Sequence, residues 1–284
     1  MKPFLGIDLT QDKKNERLNG DVFITARPCA ASVQNLTAAA EKANNKNNEA
    51  KLPLAIRIGQ GICGVIAFMV VMGTLRSLRN VSLEEGYHNA PWLFWLGGGC
   101  LVVWLLLRAI AAKKQKTVLS TEESNRLFAN VESICQSIYT ELGVPSNAKE
   151  VDLLSFYYKE KDGNIKPKQT GMQMVPYNNQ AFRCYADTEN LYIVDIEGKY
   201  TFPLAQMRAI HTVNAAIGFP NWNKKQATDE GIYKKYKITI DNNGCLHCKP
   251  FHILELRHGG ETWGIYFPCY ELPVIESLTG LKAQ

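Results

Sequence analysis

Two stretches of the chain carry no polar face. Residues 58 to 75 read IGQGICGVIAFMVVMGTL, with no formal charge and only Gln60 and Thr74 as polar side chains; residues 91 to 107 read PWLFWLGGGCLVVWLLL, and residues 109 to 112 continue the run past a single Arg108. A helix rises about 1.5 Å per residue, so roughly 20 residues cross about 30 Å of hydrocarbon. Both stretches are long enough, and neither has the polar stripe of a helix packed on a soluble core. The pattern predicts transmembrane helices over about residues 54–75 and 91–112, the hairpin occupying 51–116. More than fifty mostly polar residues precede the first run, which argues against a signal peptide.

The flanking patterns differ. Residues 1–50 form an arm and linker: two short candidate strands, residues 4 to 9 and 21 to 26, read as a hairpin-like arm that adds to a sheet elsewhere, and residues 32 to 50 as a polar helix or linker. GIDLT, starting at Gly6, lacks the second glycine that a phosphate-binding strand turn needs. Over 117–145, Ser120 and Glu123 fit a capping box, and Leu127, Val131, Ile134, Cys135, Ile138 and Leu142 recur at helical spacing before Gly143 and Pro145, predicting an amphipathic helix that packs its stripe. In 146–284 the signal becomes short strands: VDLLSFYY, AFRCYA, NLYIVDI, KYTFP, YKKYKITI, FHILEL and TWGIYF, punctuated by Asp162-Gly163, Glu197-Gly198, Asn242-Asn243-Gly244 and Gly259-Gly260. Trp263, Ile265 and Phe267 alternate onto one face. Residues 270 to 281 read as a closing helix with Leu272, Ile275, Leu278 and Leu281 near one face. The fold class expected is α+β: a two-helix transmembrane hairpin and a small β-barrel or bent sandwich closed by a C-terminal helix.

Composition alone, 46% apolar with a net charge of +5, describes an average soluble chain with a hint of nucleic-acid affinity. Position changes that. Residues 51 to 116 hold eight Lys/Arg against two Asp/Glu, more than the whole excess. Lys42, Lys46, Lys51 and Arg57 precede the first run and Arg108, Lys113, Lys114 and Lys116 follow the second, whereas the intervening loop has Arg76 and Arg79 beside Glu84 and Glu85. Basic flanks stay inside. The expected location is the cell membrane, multi-pass, with both termini cytoplasmic, the loop at 76 to 90 outside, and no nucleic-acid partner. Trp92 and Trp95 would mark the outer interface, and the long stems of Arg57 and Arg108 would snorkel to the inner headgroups. Small residues at Gly59, Gly61, Cys63, Gly64, Ala67 and 97 to 99 allow close helix approach. The short loop favours contact within the hairpin; oligomerisation through the same faces is the alternative. Neither run contains an acid or a histidine, which argues against a proton relay.

The run LYIVDIEGKYTFPLAQMRAIHTV at residues 191 to 213 is similar to the part of bacterial pleckstrin-homology-like (PH-like) domains where a strand pair is followed by a Pro-aliphatic step and an x-x-Ile strand. With its hairpin and closing helix, the chain resembles bacterial two-span membrane proteins that carry a cytoplasmic PH-like domain, over residues 151 to 282. The resemblance implies a PH-like fold, which in that superfamily binds lipid headgroups, peptides or nothing known, so the fold does not fix the function; no lipid-binding Lys/Arg signature carries over onto particular residues.

Candidate chemistry concentrates in CLHCKPFH: Cys245, His247, Cys248 and His252, with His258 and Cys269 as more distant candidates. A C-x2-C pair with histidines is zinc-ligand chemistry. An extended strand, however, sends Cys245 and Cys248 to opposite faces. A metal site, a redox dithiol and ordinary reduced thiols all remain open; the eight cysteines, two of them in the spans, imply no disulfide framework in a cytoplasmic setting. Trp222 with Lys224 and Lys225, close in sequence to Lys234, Lys235 and Lys237, forms a candidate lipid-surface patch, diluted by Asp229 and Glu230. Asn80-Val81-Ser82 fits a glycosylation acceptor in the loop. No phosphate loop, nucleophile elbow or HExxH pattern occurs. The expectation is a protein that is not an enzyme, needs no cofactor, and presents a binding or scaffold domain to a protein or peptide partner at the inner face of the bilayer. The alternative is a membrane-bound metal- or redox-dependent enzyme or sensor using Cys245 and Cys248.

Overall fold

The computed structural model describes residues 1–9, 19–77, 91–162, 164–167, 177–220, 230–241 and 245–284. These divide into two compact units, Ala30–Cys135 and the combination of Met1–Cys29 with Gln136–Gln284.

The first unit is helical: α1 (Ala30–Glu49), α2 (Leu54–Ser77), α3 (Pro91–Leu119) and the start of α4 (Glu122–Glu141). Ala39 and Ala43, one turn apart, form the buried face of α1. At about 1.5 Å per residue, α2 and α3 reach about 36 and 43 Å, and only 6% of the most apolar window of each is buried. Phe68 is 64% and Trp95 71% exposed. A soluble core helix buries such groups; these two helices are long and apolar enough to span a membrane. They meet through glycine: a Cβ on Gly97 would fall 2.5 Å from Val70 Cγ1 and one on Gly64 3.0 Å from Trp104 Nε1, whereas Gly59, Gly61, Gly73, Gly98 and Gly99 face open space. The Cys63 and Cys100 thiols lie within hydrogen-bonding reach across the same contact. The α4 cap lies one residue beyond the expected Ser120: Thr121 Oγ1 accepts from the Ser124 N–H at 3.2 Å. Glu123, instead of reaching back, pairs with Lys46 at 2.6 Å.

The second unit is a sheet domain. Its strands are β1 (Lys2–Pro3), β2 (Gly6–Asp8), β3 (Ile24–Ala26), β4 (Lys149–Lys161), β5 (Asn164–Pro167), β6 (Tyr177–Ala186), β7 (Asn190–Val194), β8 (Lys199–Pro203), β9 (Met207–Val213), β10 (Ile217–Pro220), β11 (Thr239–Ile240), β12 (Cys245–Cys248), β13 (Phe251–His258) and β14 (Glu261–Pro268); α5 (Glu230–Tyr236) and α6 (Leu272–Thr279) are its short helices. One sheet runs β2-β4-β6-β7-β8-β3 with β5 beside β4, a second β1-β14-β13-β9, and a third β10-β12-β11. Among the described residues the N-terminal arm pairs with later strands and not with itself: β1 lies parallel to β14, β2 parallel to β4, and β3 antiparallel to β8. YKKYKITI, expected as one strand, has its first half in α5 and ends in the short β11.

The two larger sheets share one core. Val151, Leu153, Phe182, Ile193 and Phe202 meet Ile210, Leu254, Trp263, Ile265 and Phe267, and Ile275 of α6 enters it. Burying such a side chain stabilises by roughly 1.5–3 kcal/mol. β4 is buried on both faces, because Leu154, on the opposite side from Leu153, joins a second core with Leu246, Cys248, Cys269 and Tyr270. The result is a mixed α+β chain of two apolar helices and a sheet domain; among the described residues the strands do not close into a barrel.

Candidate functional site

The cysteine-histidine segment forms β12, where Leu246 and Cys248 are buried and Cys245 and His247 half-buried on the other face. Alternation thus separates the two cysteines of the C-x2-C. On the outer face the Asp241 carboxylate accepts from the Cys245 N–H at 2.9 Å and lies 3.1 Å from His247 Nε2. On the inner face Cys248 hydrogen-bonds to Cys269, at the end of β14; that bond and burial push the Cys248 thiol up, while the same bond holds Cys269 down. His252 stacks on Phe267 at 5.6 Å, and burial lowers its pKa. His258 lies 4.9 Å from the Phe23 ring and 3.3 Å, through Nδ1, from Gln206 Oε1. The candidate ligands Cys245, Cys248 and His252 therefore have separate surroundings. Among the described residues no three His, Cys, Asp or Glu side chains gather into a group able to hold a metal ion.

Beside Cys269 lies a buried polar cluster. The Tyr270 hydroxyl donates to Asp152 Oδ2 at 2.9 Å, and the Asp152 N–H donates to Glu271 Oε1 at 3.0 Å. All three residues are buried. Burial first, and the Asp152 charge second, push the Tyr270 pKa up. Asp152 sits on the Leu154 side of β4, so these bonds tie the turn preceding α6 to the central strand.

A third feature is the outer edge of β9, the last strand in its sheet's order. On its inner side β9 pairs with β13, from Val213 opposite Phe251 to Met207 opposite Leu256. On its outer side residues 283 and 284 add in strand fashion: the Gln284 N–H donates to the Ile210 carbonyl and the Thr212 N–H to the Gln284 carbonyl, both at 3.0 Å, in parallel register. An acid on α6 holds this segment. Glu276 accepts from the Ala283 N–H at 3.0 Å and from Lys282 Nζ at 3.0 Å, and those bonds, the backbone one foremost, hold its carboxyl below the ordinary value of 4.5. Gly280, at φ 71°, ends the helix through its N–H to the Glu276 carbonyl at 2.9 Å and turns the chain toward β9. Chemically, this edge offers backbone donors and acceptors to an extended segment, with α6 alongside.

No family model matches this chain, and no curated protein and no solved structure matches it.

Trp222, Lys224 and Lys225 lie outside the described residues, as does the Asn80-Val81-Ser82 acceptor. Of the accompanying lysines, Lys234 and Lys235 lie on α5 and are exposed. Sequence reasoning missed Glu276, which carried no motif and reads as an ordinary exposed helix acid. It also missed the Asp152, Tyr270 and Glu271 cluster, although Asp152 inside the apolar VDLLSF run was a readable signal: an acid in a two-sided buried strand needs partners.

Proposed function

We propose that this is an integral membrane protein whose two-helix hairpin tethers a cytoplasmic, PH-like sheet domain, and that the domain works as a binding or scaffold module for an extended peptide partner. The observation that carries this reading is the β9 edge, on which a segment of the chain itself is seated with strand hydrogen bonds. Strand addition to an open edge gives affinity through the backbone and selectivity through alternate side chains. The two apolar, largely unburied helices support the anchored half of the reading. The basic flanks support an inside location for both termini. The two-sheet sandwich with a closing helix, together with residues 191 to 213, supports the PH-like assignment and the bacterial membrane-protein class it implies.

The test uses the full chain, purified from native membranes with its bound proteins. A partner that uses β9 is lost on Thr212→Pro, which removes an edge N–H, and is captured more strongly when residues 282–284 are deleted. Capture unaffected by both changes contradicts the β9 reading.

A second reading rests on a specific contact, the hydrogen-bonded thiols of Cys248 and Cys269: a membrane-bound redox sensor using this pair in place of Cys245 and Cys248. It requires that function change on oxidation and that Cys269→Ser abolish the change.

A further inference from the structure

The helical unit contains a pocket of about 320 Å³ walled by Asn47 of the α1 end, Ala50 and Lys51 of the α1–α2 link, Arg57 and Gln60 of the α2 start, and Gln115 of α3. We infer that this pocket holds the phosphate-bearing headgroup of an anionic phospholipid. The inference rests on the reading that α2 and α3 span a bilayer, and it supplies that reading with a lipid class.

Level comes first. Arg57 and Gln60 lie in the first two turns of α2, which begins at Leu54. Gln115 lies three residues, about 5 Å, beyond the apolar run that ends at residue 112. The hydrocarbon core is about 30 Å thick and the bilayer with headgroups about 40–45 Å, so each headgroup layer is about 5–7 Å deep. The pocket therefore straddles the headgroup boundary, reaching from Lys51 and Gln115 outside the apolar runs to Gln60 and Ala111 just inside them, at the end where both helices leave the apolar zone.

Charge comes second. Two cations, Lys51 and Arg57, line the pocket, and no Asp or Glu does. The neighbouring acid Glu49 and the α4 acid Glu123 are both engaged by Lys46, at 3.2 and 2.6 Å. The site thus favours an anion.

Donor availability comes third. Among the described residues the side chains of Asn47, Arg57, Gln60 and Gln115 make no hydrogen bond or ion pair within the protein, and Asn47 and Gln60 are half-buried. Guanidinium and carboxamide side chains lining one cavity supply the kind of N–H donors that match the oxygen acceptors of a phosphate ester. The wall is also braced: Lys114 Nζ donates to the Lys51 carbonyl at 2.9 Å, joining α3 to the α1–α2 link. The exposed apolar faces of the same helices take the acyl chains, which distinguishes a lipid from a soluble phosphate anion.

The full chain is purified in detergent micelles containing equal amounts of an anionic and a zwitterionic diacyl phospholipid, and retained lipid is read by native mass spectrometry. The wild type should retain the anionic lipid preferentially. Lys51→Gln with Arg57→Gln should weaken that retention about 30-fold, from about 1 kcal/mol per basic residue at a membrane surface. Arg57→Lys should keep most of it, and Lys159→Gln with Lys161→Gln, on exposed β4 positions, should leave it unchanged. Equal retention of the two lipids, or anionic retention untouched by the double change, overturns the inference. So does displacement by millimolar inorganic phosphate with no preference between lipids, which assigns the pocket to a soluble anion. Alkaline extraction of the same membranes separates the two failures: release of the chain removes the spanning reading itself, whereas a retained chain without lipid preference removes only the pocket.

Discussion

Asp152 stands in an apolar strand, and its position explains more of the sheet domain than any core leucine does. A buried carboxylate is costly unless its oxygens are bonded; here one accepts from Tyr270, and the backbone N–H of Asp152 reaches Glu271. Asp152→Ala leaves the Tyr270 hydroxyl without that acceptor and should lower stability by about 1–3 kcal/mol, measured by chemical denaturation of the detergent-solubilised chain. Because the two groups form one contact, Tyr270→Phe in the Asp152→Ala background should cost less than in the wild type. Glu276 gives the second residue-scale expectation. Its folded pKa lies below the ordinary 4.5, so the stabilisation of residues 282–284 is complete above 4.5 and is lost as pH falls through the depressed folded value. The protection factor of the Ala283 amide, its intrinsic exchange rate at each pH divided by the observed one, should therefore fall on acidification across that window, and in Glu276→Gln it should already be low at neutral pH with no acid step. An amide equally protected in the variant would remove Glu276 as the clasp.

At the scale of elements, local signals were legible and long-range ones were not. The two apolar helices could be read because hydropathy is a property of each segment by itself, and TWGIYF because strict alternation put Trp263, Ile265 and Phe267 on one face, where the structure buries them. The partners of the N-terminal arm could not be read: Gly6 pairs with Phe156, 150 positions away, and no property of GIDLT names that partner. YKKYKITI misled because only its KITI end alternates, whereas Tyr233 and Tyr236 stand three residues apart, a spacing that suits one face of a helix. The candidate site was legible in the negative sense that a strand separates Cys245 from Cys248. The actual thiol partner of Cys248 is Cys269, brought there by the packing of β14's end against β12. Within the hairpin, the expectation of intrachain glycine contact can be tested directly. A leucine at Gly97 meets Val70, where even a Cβ would lie 2.5 Å away. Gly97→Leu should sharply lower the yield of an oxidant-induced Cys63–Cys100 cross-link, while Gly98→Leu, facing open space, should leave it intact.

At the scale of the whole molecule, the net charge of +5 changes meaning once it is resolved by position. It collects around two helices whose apolar surface is largely uncovered among the described residues, and part of it lines a pocket near the level where headgroups would lie. The sheet domain, by contrast, buries two cores of its own, one on each side of β4. An uncovered apolar pair joined to a domain with its own core is what the proposed anchored binding module requires, and under that proposal the basic flanks on both helices would put the module on the cytoplasmic side. Residue 284 carries the most direct test. Fused there in parallel, a green fluorescent protein and an alkaline phosphatase report opposite sides of the membrane; the account predicts a fluorescent, phosphatase-inactive chain that stays in the membrane fraction, and an active phosphatase with a dark fluorescent partner would contradict it.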